Sequence, residues 1–97
     1  MRIISRIRLR NFWEENSKSE QALKAWYEIA KKAFWQNPQE IKNTFGNASF
    51  LSNNRVIFNI HGNSYRLVVA IKYEYSICYV RFIGTHSQYD KIDPKTI

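Results

Sequence analysis

Apolar residues recur at two different spacings, and the change of spacing divides the chain into two halves. Through residues 1–45 they recur mainly every three to four positions, as on an amphipathic helix, whereas residues 48–84 alternate as strands do. No linker or repeat separates the two halves. A helical half and a strand half in one short chain predict an α+β fold, with N-terminal helices packed on one face of a small antiparallel β-sheet.

Three helices are predicted in the first half. Ser5 precedes a helix that we expect to extend to about Glu15, and the S-x-x-E string at 17–20 is typical of a capping box. Asn37-Pro38 provides a capping residue and a proline suited to the first helical position, which predicts a short helix to about Phe45. The apolar stripe of the middle helix consists of Leu23, Trp26, Ala30, Ala33 and Phe34.

The strands are predicted to alternate between an apolar and a basic face. A short edge strand at 1–4 and strands at 48–51, 55–60, 65–73 and 77–83 make up the sheet. The apolar set, expected to face the helices, is Val56, Phe58, Ile60, Leu67, Val69, Ile71, Cys78, Val80 and Phe82. The opposite, open face carries Arg55, Asn59, His61, Arg66, Lys72, Tyr79, Arg81 and Ile83 and no acidic residue.

Composition and charge restrict the function classes. The chain has 97 residues, which fits one domain (1–97, with residues 92–97 expected to be a frayed tail), and 15 Lys and Arg against 8 Asp and Glu give a net charge of +7. A positive field attracts nucleic acid, an acidic protein or a membrane surface. One cysteine and two histidines cannot make an internal disulfide or a usual structural zinc site. We therefore expect a soluble, cytoplasmic domain that needs no metal or other cofactor and has neither a signal peptide nor a membrane span.

The basic face has the chemistry of a phosphate site. Arg66 and Arg81 present planar forks of donors that match phosphate oxygens, although a merely solvated face is the alternative. His86 follows the glycine that ends the last strand, and histidine exchanges protons near neutral pH. Tyr89 lies three residues further on, on the same side of a predicted helical turn. For both residues the alternative is a plain surface or packing role.

Two further groups of residues complete the sequence-based picture. On the open face, the candidate residues for binding a nucleic-acid strand are Arg55, Asn59, His61, Lys72 and Tyr79. A second basic surface on the helices either binds a polyanion or is simply solvated, and it comprises Arg6, Arg8, Arg10, Lys24, Lys31 and Lys32. Phosphate-binding glycine loops and the zinc-protease motif are absent, and Cys78 lies on the apolar set, as a core residue would.

Two strings in the second half resemble a known family. F-N-x-x-G-N-x-x-R (58–66) and T-H-x-x-Y-D (85–90) are similar to the HigB toxins, which belong to the RelE-like superfamily of type II toxin–antitoxin modules. The resemblance implies a RelE-like fold and a ribosome-dependent endoribonuclease, an mRNA interferase that cleaves translated mRNA by metal-free attack of the 2′-hydroxyl. It also implies a helix-turn-helix antitoxin of the HigA type, through which alone the toxin would meet operator DNA.

The resemblance also assigns roles to single residues. Arg66 matches the arginine that contacts the scissile phosphate, and His86 matches the position used for proton transfer. Arg81 and Tyr89 fall within the matched strings and complete the predicted catalytic set. Two alternatives remain open at this point, namely a ParE-like gyrase-poisoning toxin and a non-catalytic basic nucleic-acid-binding module.

Overall fold

Five strands form a single sheet, with three of the four helices inserted between the first strand and the rest. The computed structural model describes residues 1–97. In chain order the elements are β1 (Arg2–Ile4), α1 (Arg6–Glu15), α2 (Glu20–Lys32), α3 (Pro38–Thr44), β2 (Ser49–Leu51), β3 (Arg55–Ile60), β4 (Tyr65–Lys72), β5 (Ile77–Thr85) and α4 (His86–Tyr89). Short 3₁₀ turns at Ser17–Ser19 and Tyr73–Tyr75 precede α2 and join β4 to β5. No helix is both long enough and apolar enough to cross a membrane.

The sheet is mixed rather than wholly antiparallel, which corrects one detail of the prediction. Its strand order is β1-β5-β4-β3-β2, and β2 through β5 form an antiparallel meander. β1 pairs with β5 in the parallel sense, with Ile3 opposite Cys78. A parallel pair needs a long connection between its strands, and here the three helices and the meander supply it.

The core lies between the helices and one face of the sheet, as the α+β prediction requires. Leu9 of α1 and Leu23 and Trp26 of α2 are buried, and the Trp26 ring meets Phe58 of β3 edge to face at 5.4 Å. The predicted stripe of α2 is wrong at its end. The helix stops at Lys32, so Phe34 is 79% exposed, and Trp35 enters the core in its place.

The helix caps follow the sequence in one case of three. Asn37 caps α3, since its Oδ1 accepts a hydrogen bond of 3.0 Å from the Glu40 amide. Ser5 lies in the left-handed region at φ +72° and gives no side-chain cap. The predicted box at 17–20 does not form, because a 3₁₀ turn occupies these positions and Ser19 Oγ donates to the Asn16 carbonyl instead.

A β-bulge in β5 reverses the predicted alternation over the last part of that strand. Tyr79 pairs with Ala70 and Val80 with Val69, but Phe82 pairs with Val68, so Arg81 has no partner in β4. One extra residue in a strand shifts every later side chain to the other face. Ile83 consequently packs against the core and Phe82 joins the opposite face, which reverses the predicted positions of both residues.

The sheet face opposite the helices is partly covered by the C-terminal segment. Ile57, Val68 and Ala70 lie on this face and are buried. The predicted frayed tail makes defined contacts there. The Lys95 carbonyl accepts a 3.1 Å hydrogen bond from Asn53 Nδ2, and the Ile97 carbonyl accepts one from Arg55.

Candidate functional site

The sheet face away from the helices carries cations that no carboxylate neutralises. We call it the basic face, and it comprises Arg55, Asn59, Arg66, Lys72, Tyr79 and Arg81. The three ion pairs of the chain are Arg10–Glu14, Lys24–Glu20 and His86–Asp90. Arg66, Lys72 and Arg81 belong to none of these pairs, so their positive charge is available to an anion, whereas Arg55 contacts the backbone oxygen of Ile97.

Arg66 is held at one end of the basic face by the β3–β4 hairpin. It pairs with Asn59 on β3 and with Gly84 on β5. Its Nη1 donates to the carbonyls of Asn63 (3.1 Å) and Tyr65 (3.2 Å), while its other N–H groups make no hydrogen bond. The guanidinium is therefore fixed in place and keeps donors free for a ligand.

Helix α4 begins directly after this end of the sheet. Thr85 and Gln88 form a reciprocal capping box, because the Gln88 amide donates to Thr85 Oγ1 at 3.2 Å and Gln88 Oε1 accepts from the Thr85 amide at 2.9 Å. The T-x-x-Q string of residues 85–88 is the sequence signature of this box. Gly84 is the cross-strand partner of Arg66. The capping box starts α4 at His86, which is therefore only two residues from Gly84 along the chain.

His86 is paired with an acidic residue that strand alternation does not reveal. Its Nδ1 lies 3.2 Å from Asp90 Oδ2, and both side chains are more than half exposed. The two groups lie within ion-pair distance without forming a hydrogen bond, and Nε2 has no partner in the chain. The signal for Asp90 is its four-residue spacing from His86, which places the two side chains on the same side of a helical turn.

Tyr89 reaches the basic face through Phe82. The two rings lie 6.4 Å apart at an interplanar angle of 53°, and Tyr89 remains partly exposed. This contact exists because the bulge turns Phe82 toward the basic face. Tyr89 and His86 therefore occupy the same end of the sheet as Arg66.

Arg81 lies in a different part of the basic face from the other three predicted catalytic residues. Its guanidinium lies 5.3 Å from the centroid of the Tyr79 ring. A strand rises about 3.3 Å per residue, so Arg81 is about 10 Å along β5 from Gly84, the partner of Arg66. Both residues share a face, but Arg81 lines a separate cleft of about 480 Å³ together with Arg55, Lys72 and Tyr79.

Of the predicted RNA-binding residues, His61 lies apart. It adopts φ +53° in the turn after β3, where alternation no longer applies. Its ring is 6.3 Å from that of Tyr65, which in turn meets Phe12 of α1 at 5.3 Å. Asn59, by contrast, lies beside Arg66, and its Nδ2 donates to Asn63 Oδ1 at 3.4 Å.

The second basic surface, on the helices, is of mixed charge. Arg10 and Lys24 are engaged with Glu14 and Glu20. The Arg6 guanidinium is 4.9 Å from the centroid of the Tyr27 ring and 5.4 Å from that of Trp13. These contacts favour a solvated helix surface over an anion site.

Cys78 lies in the core, as its place in the apolar set predicts. It is fully buried, and burial raises the pKa of its thiol to about 12. A thiol that stays protonated at neutral pH is a poor nucleophile. No three His, Cys, Asp or Glu side chains are grouped so that they could hold a metal ion.

Comparison with known proteins identifies the family. Residues 19–92 match the model of the HigB toxin family, described as the RelE-like toxic component of a toxin–antitoxin system. The mRNA interferase toxin HigB of Escherichia coli K12 is 29% identical over 93 residues, which span 93% of this chain and 88% of the relative. The mRNA interferase HigB proteins of E. coli O157:H7 and Shigella flexneri match to the same extent. The chain therefore belongs to the HigB family of RelE-like toxins.

Proposed function

We propose that this protein is the toxin of a type II toxin–antitoxin module and acts as an endoribonuclease on translated mRNA. The observation that carries the proposal is the basic face, on which Arg66, Lys72 and Arg81 lack carboxylate partners. A polyanion relieves the mutual repulsion of such cations, and binding to it releases counterions. The names of the curated relatives, all mRNA interferases, select RNA among the polyanions.

The reaction centre lies at the α4 end of the basic face. The 2′-oxygen of the RNA forms a bond to the adjacent phosphorus while the bond from phosphorus to the 5′-oxygen breaks. A base outside this chain accepts the 2′-hydroxyl proton, and the products are a 2′,3′-cyclic phosphate and a free 5′-hydroxyl. No step of this scheme requires a metal ion.

Three side chains serve this chemistry. Arg66, whose Nε and Nη2 make no hydrogen bond within the chain, stabilises the extra charge on the phosphate in the transition state. His86 delivers a proton from Nε2 to the leaving 5′-oxygen, and Asp90, 3.2 Å from Nδ1, orients the imidazole. Tyr89, beside Phe82, positions the nucleotide.

The ribosome and an antitoxin are the expected partners. Presentation of mRNA on the ribosome supplies the outside base and holds the strand against the basic face. A helix-turn-helix antitoxin of the HigA type neutralises the toxin, and the toxin meets operator DNA only through it. A gene for such a small protein is expected next to the toxin gene.

Primer extension on cellular mRNA after induction tests the proposal. Wild type is expected to produce new 5′ ends within translated regions, while Arg66→Ala and His86→Ala produce none and remain folded by circular dichroism. Arg10→Ala is the matched control, because Arg10 pairs with Glu14 on α1, away from the basic face. A cleavage assay with purified protein and mRNA, with and without ribosomes, tests ribosome dependence. The same assay with a chelator tests metal independence.

Two outcomes contradict the proposal. If a folded Arg66→Ala, His86→Ala double variant still cuts mRNA and arrests growth, the reaction centre is not formed by these two residues. Growth arrest with intact mRNA and induced DNA damage points instead to a gyrase-directed toxin.

A further inference from the structure

The basic face contains a cleft that is separate from the reaction centre. We call it the Ala70 cleft, and about 480 Å³ of space is enclosed by Asn53, Asn54, Arg55, Ala70, Ile71, Lys72, Tyr79 and Arg81. Its lining includes three cations and no carboxylate. Along β5, Arg81 of the cleft lies about 10 Å from Gly84, the cross-strand partner of Arg66.

Register explains the shape of the cleft. Arg55, Ala70 and Tyr79 are direct partners across three adjacent strands, so they form one row on the basic face. The small side chain in the middle of the row leaves a notch between two large ones. Two strand spacings, or about 10 Å, separate the outer backbones, which is wide enough for a flat ring and a phosphate.

Two walls of the cleft differ in mobility. Arg55 donates to the backbone oxygens of Asn53 and Ile97, and its Nε is buried, so its guanidinium is fixed in place. The Lys72 side chain makes no hydrogen bond or ion pair and is exposed at the rim.

The side of the cleft formed by Tyr79 and Arg81 offers a surface on which a base can stack. The Tyr79 ring is partly exposed, and the Arg81 guanidinium lies 5.3 Å from its centroid. Aromatic rings and guanidinium planes beside a positively charged groove are the usual means of holding a single-stranded nucleic acid. Stacking is tolerant of sequence, because every base has a flat face.

We propose that the Ala70 cleft binds one nucleotide of the RNA strand that neighbours the cleaved linkage. Its base stacks on Tyr79 and Arg81, and its phosphate lies beside Lys72. The assignment rests on the proposed function, since it concerns the same RNA strand. It moves Arg81 from the reaction centre to substrate binding, so its loss weakens binding more than the chemical step.

A binding assay with a short, single-stranded, 2′-O-methylated RNA tests the cleft, because the blocked 2′-oxygen prevents cleavage. Lys72→Ala, Tyr79→Leu and Ala70→Leu are each expected to weaken binding at least about fivefold. Ala70→Leu fills the notch without changing the charge, and Tyr79→Phe restores the binding that Tyr79→Leu loses. Lys18→Ala removes the same charge from an exposed turn on the helical side and is the matched control.

Cleavage of ribosome-bound mRNA provides the second readout, in which the cleft variants raise KM rather than lower kcat. The first outcome to consider is that wild type cuts RNA and Arg66→Ala does not, so that the proposed function stands. If the folded Lys72→Ala and Ala70→Leu variants then bind RNA as well as Lys18→Ala does, the cleft assignment is wrong. If wild type cuts no RNA but the cleft variants still lose binding, the proposed function fails and the cleft assignment stands. Lys72→Ala keeps the test valid should Ala70→Leu fail to fold, because Lys72 is exposed.

Discussion

The guanidinium of Arg8 donates a 2.7 Å hydrogen bond to the backbone carbonyl of Arg81. Arg81 is the residue of β5 that has no partner in β4, so helix α1 contacts the strand at its bulge. The bulge in turn brings Phe82 to the basic face, where it meets Tyr89. Through this bond the helical half supports the geometry that both the cleft and the reaction centre use.

Removal of this donor is expected to destabilise the protein modestly. Arg8→Met keeps helix propensity and most of the side-chain length but deletes the hydrogen bond to Arg81, and we expect the free energy of unfolding to fall by about 1 kcal/mol. Urea denaturation measures this loss. Arg10→Met is the control, since its exposed pair with Glu14 contributes about 0.5 kcal/mol or less. Equal losses for the two variants would show that the bond at the bulge has no special role.

Gly84 is expected to tolerate no side chain, for reasons of space rather than backbone conformation. A Cβ there would lie 2.5 Å from Phe82 Cζ and 2.7 Å from Gln88 Oε1, which belongs to the capping box of α4. Gly84→Ala should therefore cost about 1–3 kcal/mol, as overpacking does, and should displace α4 enough to reduce RNA cleavage.

Gly46→Ala is the matched control for this substitution, because no atom lies within 4 Å of the added Cβ. Thermal unfolding of the two variants provides the comparison. A Gly84→Ala protein as stable and as active as Gly46→Ala would mean that Phe82 and Gln88 move aside at no cost.

Local signals predict part of the fold, and the reversed faces at the end of β5 have a physical cause that lies outside them. The Asn37 cap and the strand faces of β3 and β4 depend on neighbouring residues, so the sequence predicts them correctly. The bulge at Arg81 depends on how two strands and α1 meet in space, and no nearby residue signals it. One unforeseen extra residue was enough to put Phe82 and Ile83 on the wrong faces.

In the candidate site, too, local sequence signals predict some residues and not others. Arg66 is predicted from strand alternation and His86 from its place just after Gly84, although β5 extends one residue beyond this glycine, to Thr85. Asp90 was missed because its role depends on α4 being helical from its first residue, and that in turn depends on the Thr85–Gln88 box. The distance between Arg81 and Arg66 along the sheet depends on which residues of β4 and β5 pair, and residue type alone does not predict this pairing.

The buried thiol predicts how stability changes at alkaline pH. In the folded chain the pKa of Cys78 is raised from 9.0 to about 12 by burial, so unfolding releases a proton between those values. The thiol's contribution is therefore complete below pH 9 and is lost as the pH rises. Between about pH 8 and pH 10 we expect the loss to reach about 1 kcal/mol, as measured by urea denaturation at each pH.

Cys78→Ala separates this effect from other alkaline titrations. The variant is less stable at every pH because it leaves a small cavity, but its stability should fall less steeply with pH than that of wild type. Tyr73→Phe is a companion variant, since burial also raises the pKa of the Tyr73 hydroxyl and contributes with the same sign at higher pH. Parallel curves for wild type and Cys78→Ala would show that the thiol does not titrate differently in the folded chain.

The contact between His86 and Asp90 predicts that the two residues act as one unit in catalysis. His86→Gln removes the proton donor and is expected to lower kcat about 10²- to 10⁴-fold. Asp90→Asn keeps the shape of the side chain but removes the charge that lies 3.2 Å from Nδ1, so it should cause a smaller loss. If Asp90 works only by orienting the imidazole, the double variant is no slower than His86→Gln alone. Binding of 2′-O-methylated RNA is the control readout and should change little in all three. Losses that multiply in the double variant would instead give Asp90 a function independent of His86, and the assignment of the proton transfer to this pair would be wrong.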